Sequence, residues 1–137
     1  MARKVRKDKV VELVKIAVAT VGNKGLEDVV SPEFGHSRTF TLIDIEDGKV
    51  VKVDVIENPA KNIAHGRGPI VAKSLADKNV ETVISGEVGP GAATILKQLG
   101  VKILIVKPRQ KVVDVLRENK LLGDSLDAEE SKKTLPV

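Results

Sequence analysis

The ten residues from Val83 to Ala92, Val-Ile-Ser-Gly-Glu-Val-Gly-Pro-Gly-Ala, decide the fold class. They contain the end of a short apolar strand, a glycine-containing loop and a helix start at Pro90. The helix is predicted over residues 90–99, because apolar residues recur at helical spacing and Gly100 follows the last of them. An apolar strand is predicted over residues 101–106. A strand–helix–strand unit of this length makes the two strands parallel, with a right-handed crossover.

The remaining elements are predicted outward from this unit by the same periodicities. Residues 15–21 form a short apolar stretch typical of a buried strand, and residues 38–46 contain β-branched and aromatic residues. The other predicted elements are a strand over 50–57, a helix over 69–79, a strand over 81–85 and a helix over 111–121. The order βββαβαβα predicts an α/β fold, in which a single mixed five-stranded sheet has helices on its faces.

The predicted hairpin between the second and third strands has the clearest local signal. Asp47-Gly48 is typical of a type I′ turn, in which both central residues have positive φ. In the strand that follows, Val51, Val53 and Val55 alternate with charged residues. This alternation predicts an antiparallel strand with one covered face.

Composition excludes several classes of function. The chain has 137 residues, enough for one domain, with 42% hydrophobic and 1% aromatic residues and no cysteine. It therefore offers no thiolate metal site, no Cys nucleophile and no aromatic platform for single-stranded nucleic acid. No apolar run is long enough to span a membrane, and no secretory signal is present, so a cytoplasmic protein is expected. The charged fraction of 31%, together with few glutamines and a single methionine, favours a thermophile.

The positive charge is concentrated at the N-terminus. Residues 1–15 contain six basic and two acidic residues, which accounts for the whole formal charge of +4. We therefore expect a basic tail over 1–14, a cofactor-binding domain over 15–121 and a polar tail over 122–137. The basic tail leaves open a contact with RNA or an acidic partner, but no nucleic-acid partner is expected for the folded part.

The predicted topology brings most of the glycines to one edge of the sheet. The loops after the first, third, fourth and fifth predicted strands all lie at this edge, where open α/β sheets bind ligands. The glycines placed there are Gly22, Gly25, Gly35, Gly66, Gly68, Gly86, Gly89 and Gly91. Tight turns alone would also explain these glycines. However, the loops over 65–68 and 86–91 open helices, whose N-termini attract anions.

Two histidines and several cations accompany these glycines. His36 and His65 fall at the same edge, and imidazole is a common metal ligand. Arg67 lies between two glycines at a helix start, which makes it the strongest candidate for an anion contact. Lys24 and Arg38 are interpreted as ordinarily solvated.

Five short segments, in this order and spacing, resemble the dinitrogenase iron–molybdenum cofactor biosynthesis family, which includes nitrogenase cofactor carriers. They are Phe34-Gly35-His36-Ser37, the strand ending in Asp47-Gly48, Glu57-Asn58-Pro59, His65-Gly66-Arg67-Gly68 and the stretch 83–92. The resemblance covers about residues 15–120 and implies a ribonuclease-H-like fold. It also implies non-catalytic, transient binding of an iron–sulfur or iron–molybdenum cluster, with metallocofactor assembly proteins as partners.

The resemblance also implies roles for particular residues. His36 and His65 would face the cluster and ligate metal, and the loop over 86–91 would lie beneath it. The candidate cofactor-binding residues are His36, His65, Gly66, Arg67, Gly68, Gly86, Gly89 and Gly91. Because the chain has no cysteine, only histidine, carboxylate or an added thiol could complete the ligation.

Two other functions remain as alternatives. A small binding module for a phosphate-bearing ligand or a protein partner would use the same glycine loops and Arg67. A metal-dependent nuclease would need clustered carboxylates, normally including one on the first strand, and residues 15–21 have none. The oligomeric state stays open.

Overall fold

The structure is a computed structural model that describes residues 2–6 and 9–123, with side chains from Glu12 onward. The strands are β1 (Ala2–Arg6), β2 (Lys9–Thr20), β3 (Thr39–Glu46), β4 (Lys49–Glu57), β5 (Thr82–Ser85) and β6 (Lys102–Ile105). The helices are α1 (Arg67–Asp77), α2 (Pro90–Gln98) and α3 (Val112–Glu118), and a 3₁₀ turn spans Gly25–Glu27.

The predicted α/β fold, with five strands of one mixed sheet and helices on its faces, is confirmed, and β1 adds a sixth strand to that sheet. The strands lie in the order β4-β3-β2-β5-β6, with β1 paired to β2 beside this path. The β2–β3 and β3–β4 pairs are antiparallel, whereas β2–β5 and β5–β6 are parallel. Asp47 and Gly48 have φ of 51° and 79°, as a type I′ turn requires.

The N-terminal part of the sheet is longer than the apolar pattern indicates. β2 begins at Lys9 rather than at residue 15, and β1 pairs with it from Ala2↔Leu13 to Arg6↔Lys9. Much of the segment expected to be a basic tail is therefore in strands. The expectation of a tail is based on the number of charged residues. It takes no account of the three valines and the leucine among residues 10–14, which favour strands.

The expected C-terminal tail begins with ordered contacts. Leu122 is buried, and the Gly123 N–H donates to the Gly48 carbonyl over 2.9 Å. Residues 124–137 lie outside the described residues.

The two faces of the sheet have separate cores. One face carries small residues of β2, such as Ala17 and Ala19, and is covered by α1 and α2. The opposite face carries Ile16 and Val18 of the same strand and is covered by α3. The small side chains suit a face on which two helices pack against the sheet and each other.

β4 is an edge strand, and its predicted covered face is mostly open. Val51 and Val53 are 45% and 37% exposed. A register shift between Asp44 and Ile45 pairs Ile45 with Val50, so that Val50 packs against the α3-side core instead of Val51. Such a bulge reverses which residues face inward and cannot be recognised from simple alternation.

We use the term carboxyl edge for the edge of the sheet at which the parallel strands β2, β5 and β6 end. The segment that connects β2 to β3, residues 21–38, crosses this edge and is called the cross-sheet loop below. The Ser31 N–H donates to the Ala19 carbonyl (2.7 Å) and the Phe34 N–H donates to the Glu87 carbonyl (2.9 Å). The buried Phe34 ring packs edge-on against Phe40, with ring centres 5.4 Å apart. These contacts fix the loop over the ends of β2 and β5.

The close approach of the cross-sheet loop to Gly86 gives a stability prediction. A Cβ on Gly86 would lie 2.8–2.9 Å from backbone atoms of Ser31 and Pro32, whereas a Cβ on Gly89 would meet nothing within 4 Å. We expect Gly86→Ala to destabilise the fold by about 1–3 kcal/mol, because backbone must move. Gly89→Ala, at a helix N-cap, should cost less than about 1 kcal/mol. Urea unfolding of both variants checks this, and equal losses would contradict it.

Candidate functional site

A cavity of about 510 Å³ opens at the carboxyl edge of the sheet, beside the ends of β3 and β4. The cross-sheet loop forms one wall, and the segment between β4 and α1 forms the other. The lining residues are Gly22, Asn23, His36, Ser37, Arg38, Thr39, Val55, Ile56, Glu57, Asn58, Lys61 and Arg67. The cavity therefore combines residues that are up to 45 positions apart in sequence.

The side chain of Asn58 joins the two walls. Its Nδ2 donates to the carbonyls of Gly35 (3.0 Å) and Ser37 (2.7 Å), and its Oδ1 accepts from the Ala60 N–H (2.7 Å). Asn58 is 3% exposed, so water does not replace these bonds easily. Because the two acceptor carbonyls flank His36, Asn58 fixes the backbone that presents the imidazole.

A second set of polar contacts holds the start of the cross-sheet loop. The Thr20 hydroxyl lies 2.7 Å from that of Thr39 and 3.1 Å from that of Thr41, and Thr39 also donates to the Gly22 carbonyl. Since each hydroxyl has one proton, Thr20 donates to Thr39 and Thr41 donates to Thr20. This buried chain ties the register of β2 and β3 to the position of Gly22.

The carboxylate of Asp28 supports the same segment. Its Oδ2 accepts from the N–H groups of Gly22 (3.0 Å) and Lys24 (3.1 Å), and its Oδ1 accepts from the Val29 N–H (2.7 Å). Asp28 is 3% exposed, and these three donors replace its water shell. The rim of the cavity near Gly22 is thus positioned by buried polar groups.

The cavity has an excess of positive charge. Arg38, Lys61 and Arg67 line it together with His36, and Glu57 is the acidic residue in the lining. Lys61 Nζ lies 2.5 Å from Glu57 Oε1. The hydrogen bond and charge of Lys61, helped by the charge of Arg38, lower the pKa of the Glu57 carboxyl. The carboxylate is therefore held ionised, and it offsets one of the three cations.

Arg67 supports the wall as well as lining it. Its Nε donates to the Ile63 carbonyl and its Nη2 donates to the Lys61 carbonyl (3.1 Å). These bonds hold the segment before α1 in place and orient the planar guanidinium. Arg67 is the first residue of α1, so its charge lies at the positive end of that helix.

The structure brings only some of the predicted site residues together. His36 and Arg67 line the cavity, and the backbones that carry them are adjacent, since a Cβ on Gly35 would lie 3.2 Å from the Gly68 nitrogen. His65 is exposed in the segment before α1 and does not line the cavity. The predicted glycines that likewise do not line it are Gly66, Gly68, Gly86, Gly89 and Gly91.

Several of these glycines have a packing reason. A Cβ on Gly68 would lie 3.1 Å from the Ala92 Cβ, and one on Gly91 would lie 3.3 Å from Pro69 Cγ, so both allow α1 and α2 to approach. Gly66 has φ of 72°, the left-handed conformation that favours glycine. Gly89 has neither a close neighbour nor a positive φ.

No cluster of three or more metal-ligating side chains occurs within the described part of the chain. His36 and His65 lie on neighbouring segments, and each could supply one imidazole ligand. Their ligation of metal stays a prediction. A bound metal group would need ligands of its own or from a partner.

Sequence patterns do not identify several of the lining residues. They favour ordinary solvation for Arg38 and predict no binding role for Asn58 or Glu57. Their position relative to the strands could have identified these three residues. Glu57 is the last residue of β4, Asn58 follows it, and Arg38 directly precedes β3. Their meeting depends on the β3–β4 register, which the residue pattern does not specify.

The fold and the cavity define a small α/β domain with a basic site at the carboxyl edge of a mixed sheet. The chain belongs to the family described as "Dinitrogenase iron-molybdenum cofactor", whose sequence profile matches residues 14–120. The resemblance found in the sequence motifs is thereby confirmed.

Individual relatives agree with this membership. An uncharacterised protein of Methanocaldococcus jannaschii is 36% identical over 93 residues, which are 68% of this chain and 75% of that protein. A candidate NifB protein from Thermotoga is 34% identical, with a TM-score of 0.61 and coverage of 80% of this chain and 90% of that one. The apo orange protein of Desulfovibrio gigas has a TM-score of 0.68 at 24% identity, covering 82% and 92%, and shows the fold alone.

The helices of the described residues are short. None of them has the length and apolar character needed to cross a membrane.

Asn58 gives a testable prediction for the architecture of the site. Asn58→Ala leaves two carbonyls and one N–H without their side-chain partner, so we expect a loss of about 2–4 kcal/mol in the free energy of unfolding. Asn119→Ala is the matched control, because Asn119 Nδ2 donates to a single carbonyl, that of Val115, at the end of α3. Chemical denaturation measures both. Similar small losses in the two variants would contradict the assigned role.

Proposed function

We propose that this protein binds an anionic iron–sulfur or iron–molybdenum cluster transiently and without catalysis during metallocofactor assembly. The observation that carries the proposal is the gathering of Arg38, Lys61, Arg67 and His36 around one cavity at the carboxyl edge. With His36 neutral, the three cations and Glu57 leave a net charge of +2. Such a cavity attracts a compact anion.

The ligand set suits temporary retention. His36 lines the cavity and can offer a neutral imidazole nitrogen to iron, and His65 can approach from the exposed segment before α1. Because the chain has no cysteine, no thiolate of its own can hold a cluster permanently. Charge attraction with one or two imidazole ligands is weaker and more readily reversed than four thiolate bonds.

The family membership supports the choice of cargo and partners. The name of the family refers to the iron–molybdenum cofactor of dinitrogenase, and a relative of 34% identity is a candidate NifB protein. We infer that the partners are metallocofactor assembly proteins in the cytoplasm, which deliver and receive the cluster. In this role the protein is a carrier and not an enzyme.

Anaerobic cluster loading tests the proposal. The wild-type protein should turn brown and gain charge-transfer absorbance after incubation with iron, sulfide and thiol, followed by desalting. His36→Ala should weaken retention about tenfold or more, since loss of a residue that only orients a metal ligand already costs that much. His65→Ala should have a smaller effect, because His65 does not line the cavity.

Lys73→Gln is the control, because Lys73 lies on the outer side of α1 and pairs with Asp77 there. It should load like the wild type. A wild-type protein that takes up no cluster, or a His36→Ala variant that retains it fully, would overturn the proposal.

A phosphate-bearing ligand is the second candidate, because the same three cations would bind phosphate. Thermal unfolding distinguishes the two functions, since a ligand that binds the folded state raises the melting temperature. A shift with nucleotides or inorganic phosphate and none with clusters would favour the phosphate ligand.

A further inference from the structure

Glu57 places a negative charge in the cavity that we propose to bind an anion. It is the last residue of β4, it lines the cavity, and its side chain is 72% exposed. Its carboxylate is directed at Lys61, one of the cations that an incoming anion would need. The backbone of Glu57 pairs in register with Thr39, next to Arg38, so a second cation of the cavity is also nearby.

We propose that Glu57 is a built-in counter-ion that competes with the bound anion for Lys61 and Arg38 and thereby promotes release of the cargo. The inference rests on the proposed function and assigns a regulating residue to that site. With Glu57 ionised the lining has a net charge of +2, and without that charge it would have +3. The carboxylate therefore lowers the affinity for every anion that enters.

The exposure of the ion pair makes this competition reversible. Lys61 and Glu57 are 53% and 72% exposed, and exposed pairs of this kind exchange partners at little cost because water solvates both charges. An anion can displace the carboxylate from Lys61, and the carboxylate can return when the anion leaves. A buried pair would block the site instead, because separating it would leave uncompensated charges.

The fold does not depend on this carboxylate. Glu57 lies outside both hydrophobic cores, and its strand pairing uses the backbone. Replacing the carboxylate with an amide of the same shape therefore changes the charge of the cavity and leaves its walls in place. This separates the effect on affinity from an effect on folding.

The chain also contains a matched pair elsewhere. Lys73 and Asp77 form an exposed ion pair with the same i,i+4 spacing, at 2.7 Å and with both side chains 62% exposed, on the outer side of α1. Asp77→Asn removes the same unit of negative charge from the same kind of pair, away from the cavity. The comparison of Glu57→Gln with Asp77→Asn thus isolates the local effect from the change in net charge.

The experiment measures binding of tetrathiomolybdate, a coloured dianion of molybdenum and sulfide, and of inorganic phosphate at low salt. Glu57→Gln should bind both probes roughly threefold to tenfold more tightly than the wild type and release them more slowly, because the repulsion is removed and Lys61 is freed. Asp77→Asn should bind like the wild type. The gain in Glu57→Gln should shrink as salt screens the charges.

The outcomes separate this inference from the proposed function. If the wild type binds the probes and Glu57→Gln binds no more tightly, the counter-ion role is wrong and the carrier proposal stands. If Glu57→Gln binds more weakly, Glu57 is a ligand rather than a competitor, which also overturns the inference. If none of the three proteins binds either anion at low salt, both proposals fail. Equal gains in Glu57→Gln and Asp77→Asn would assign the effect to net charge alone and overturn the specific role.

Discussion

The cavity depends on one buried carboxamide that joins two segments of the chain. Asn58 uses its two N–H bonds and its oxygen to link the Gly35–Ser37 turn to the segment after β4. Every group that we assign to binding lies on one of these segments or next to it. His36 lies in the first and Arg38 directly follows it. Lys61 lies in the second, which runs from Glu57 at the end of β4 to Arg67 at the start of α1. Buried hydrogen bonds of Asn58 hold the backbone on either side of His36, whereas the side chains of His36, Arg38 and Lys61 are exposed.

The glycines of the carboxyl edge serve this architecture mainly by allowing close packing. Gly68 and Gly91 let α1 and α2 approach, and Gly86 accommodates the cross-sheet loop. Their concentration marks the edge at which the binding cavity lies, but the cavity itself is lined by longer side chains. Glycine content therefore indicates the edge at which the cavity lies, whereas the side chains that line the cavity come mainly from residues at or near strand ends.

Sequence periodicity was sufficient for most of the fold. The Pro90 to Gly100 segment and the Asp47-Gly48 turn have local signals, so the helix and the hairpin were predicted close to their observed bounds. Features that depend on non-local pairing were not predicted. The bulge at Asp44 and Ile45 moves Val50 into the core in place of Val51, and β1 pairs within a segment dominated by lysine and arginine. In the site, the β3–β4 register brings Arg38 close to Glu57, and no local pattern specifies that register.

A carrier must bind its cargo and also release it, and the function that we propose assigns both tasks to the cavity. In the proposed role, the cations and His36 attract and hold an anion, and the exposed Glu57 opposes them. The most direct measurement is a crystal structure of the cluster-loaded protein, with the iron located by anomalous scattering. The account predicts iron within the cavity, beside His36 and within reach of Arg38 and Arg67. Iron bound elsewhere, for example on the outer side of α1 or beside the paired strands β1 and β2, would contradict it.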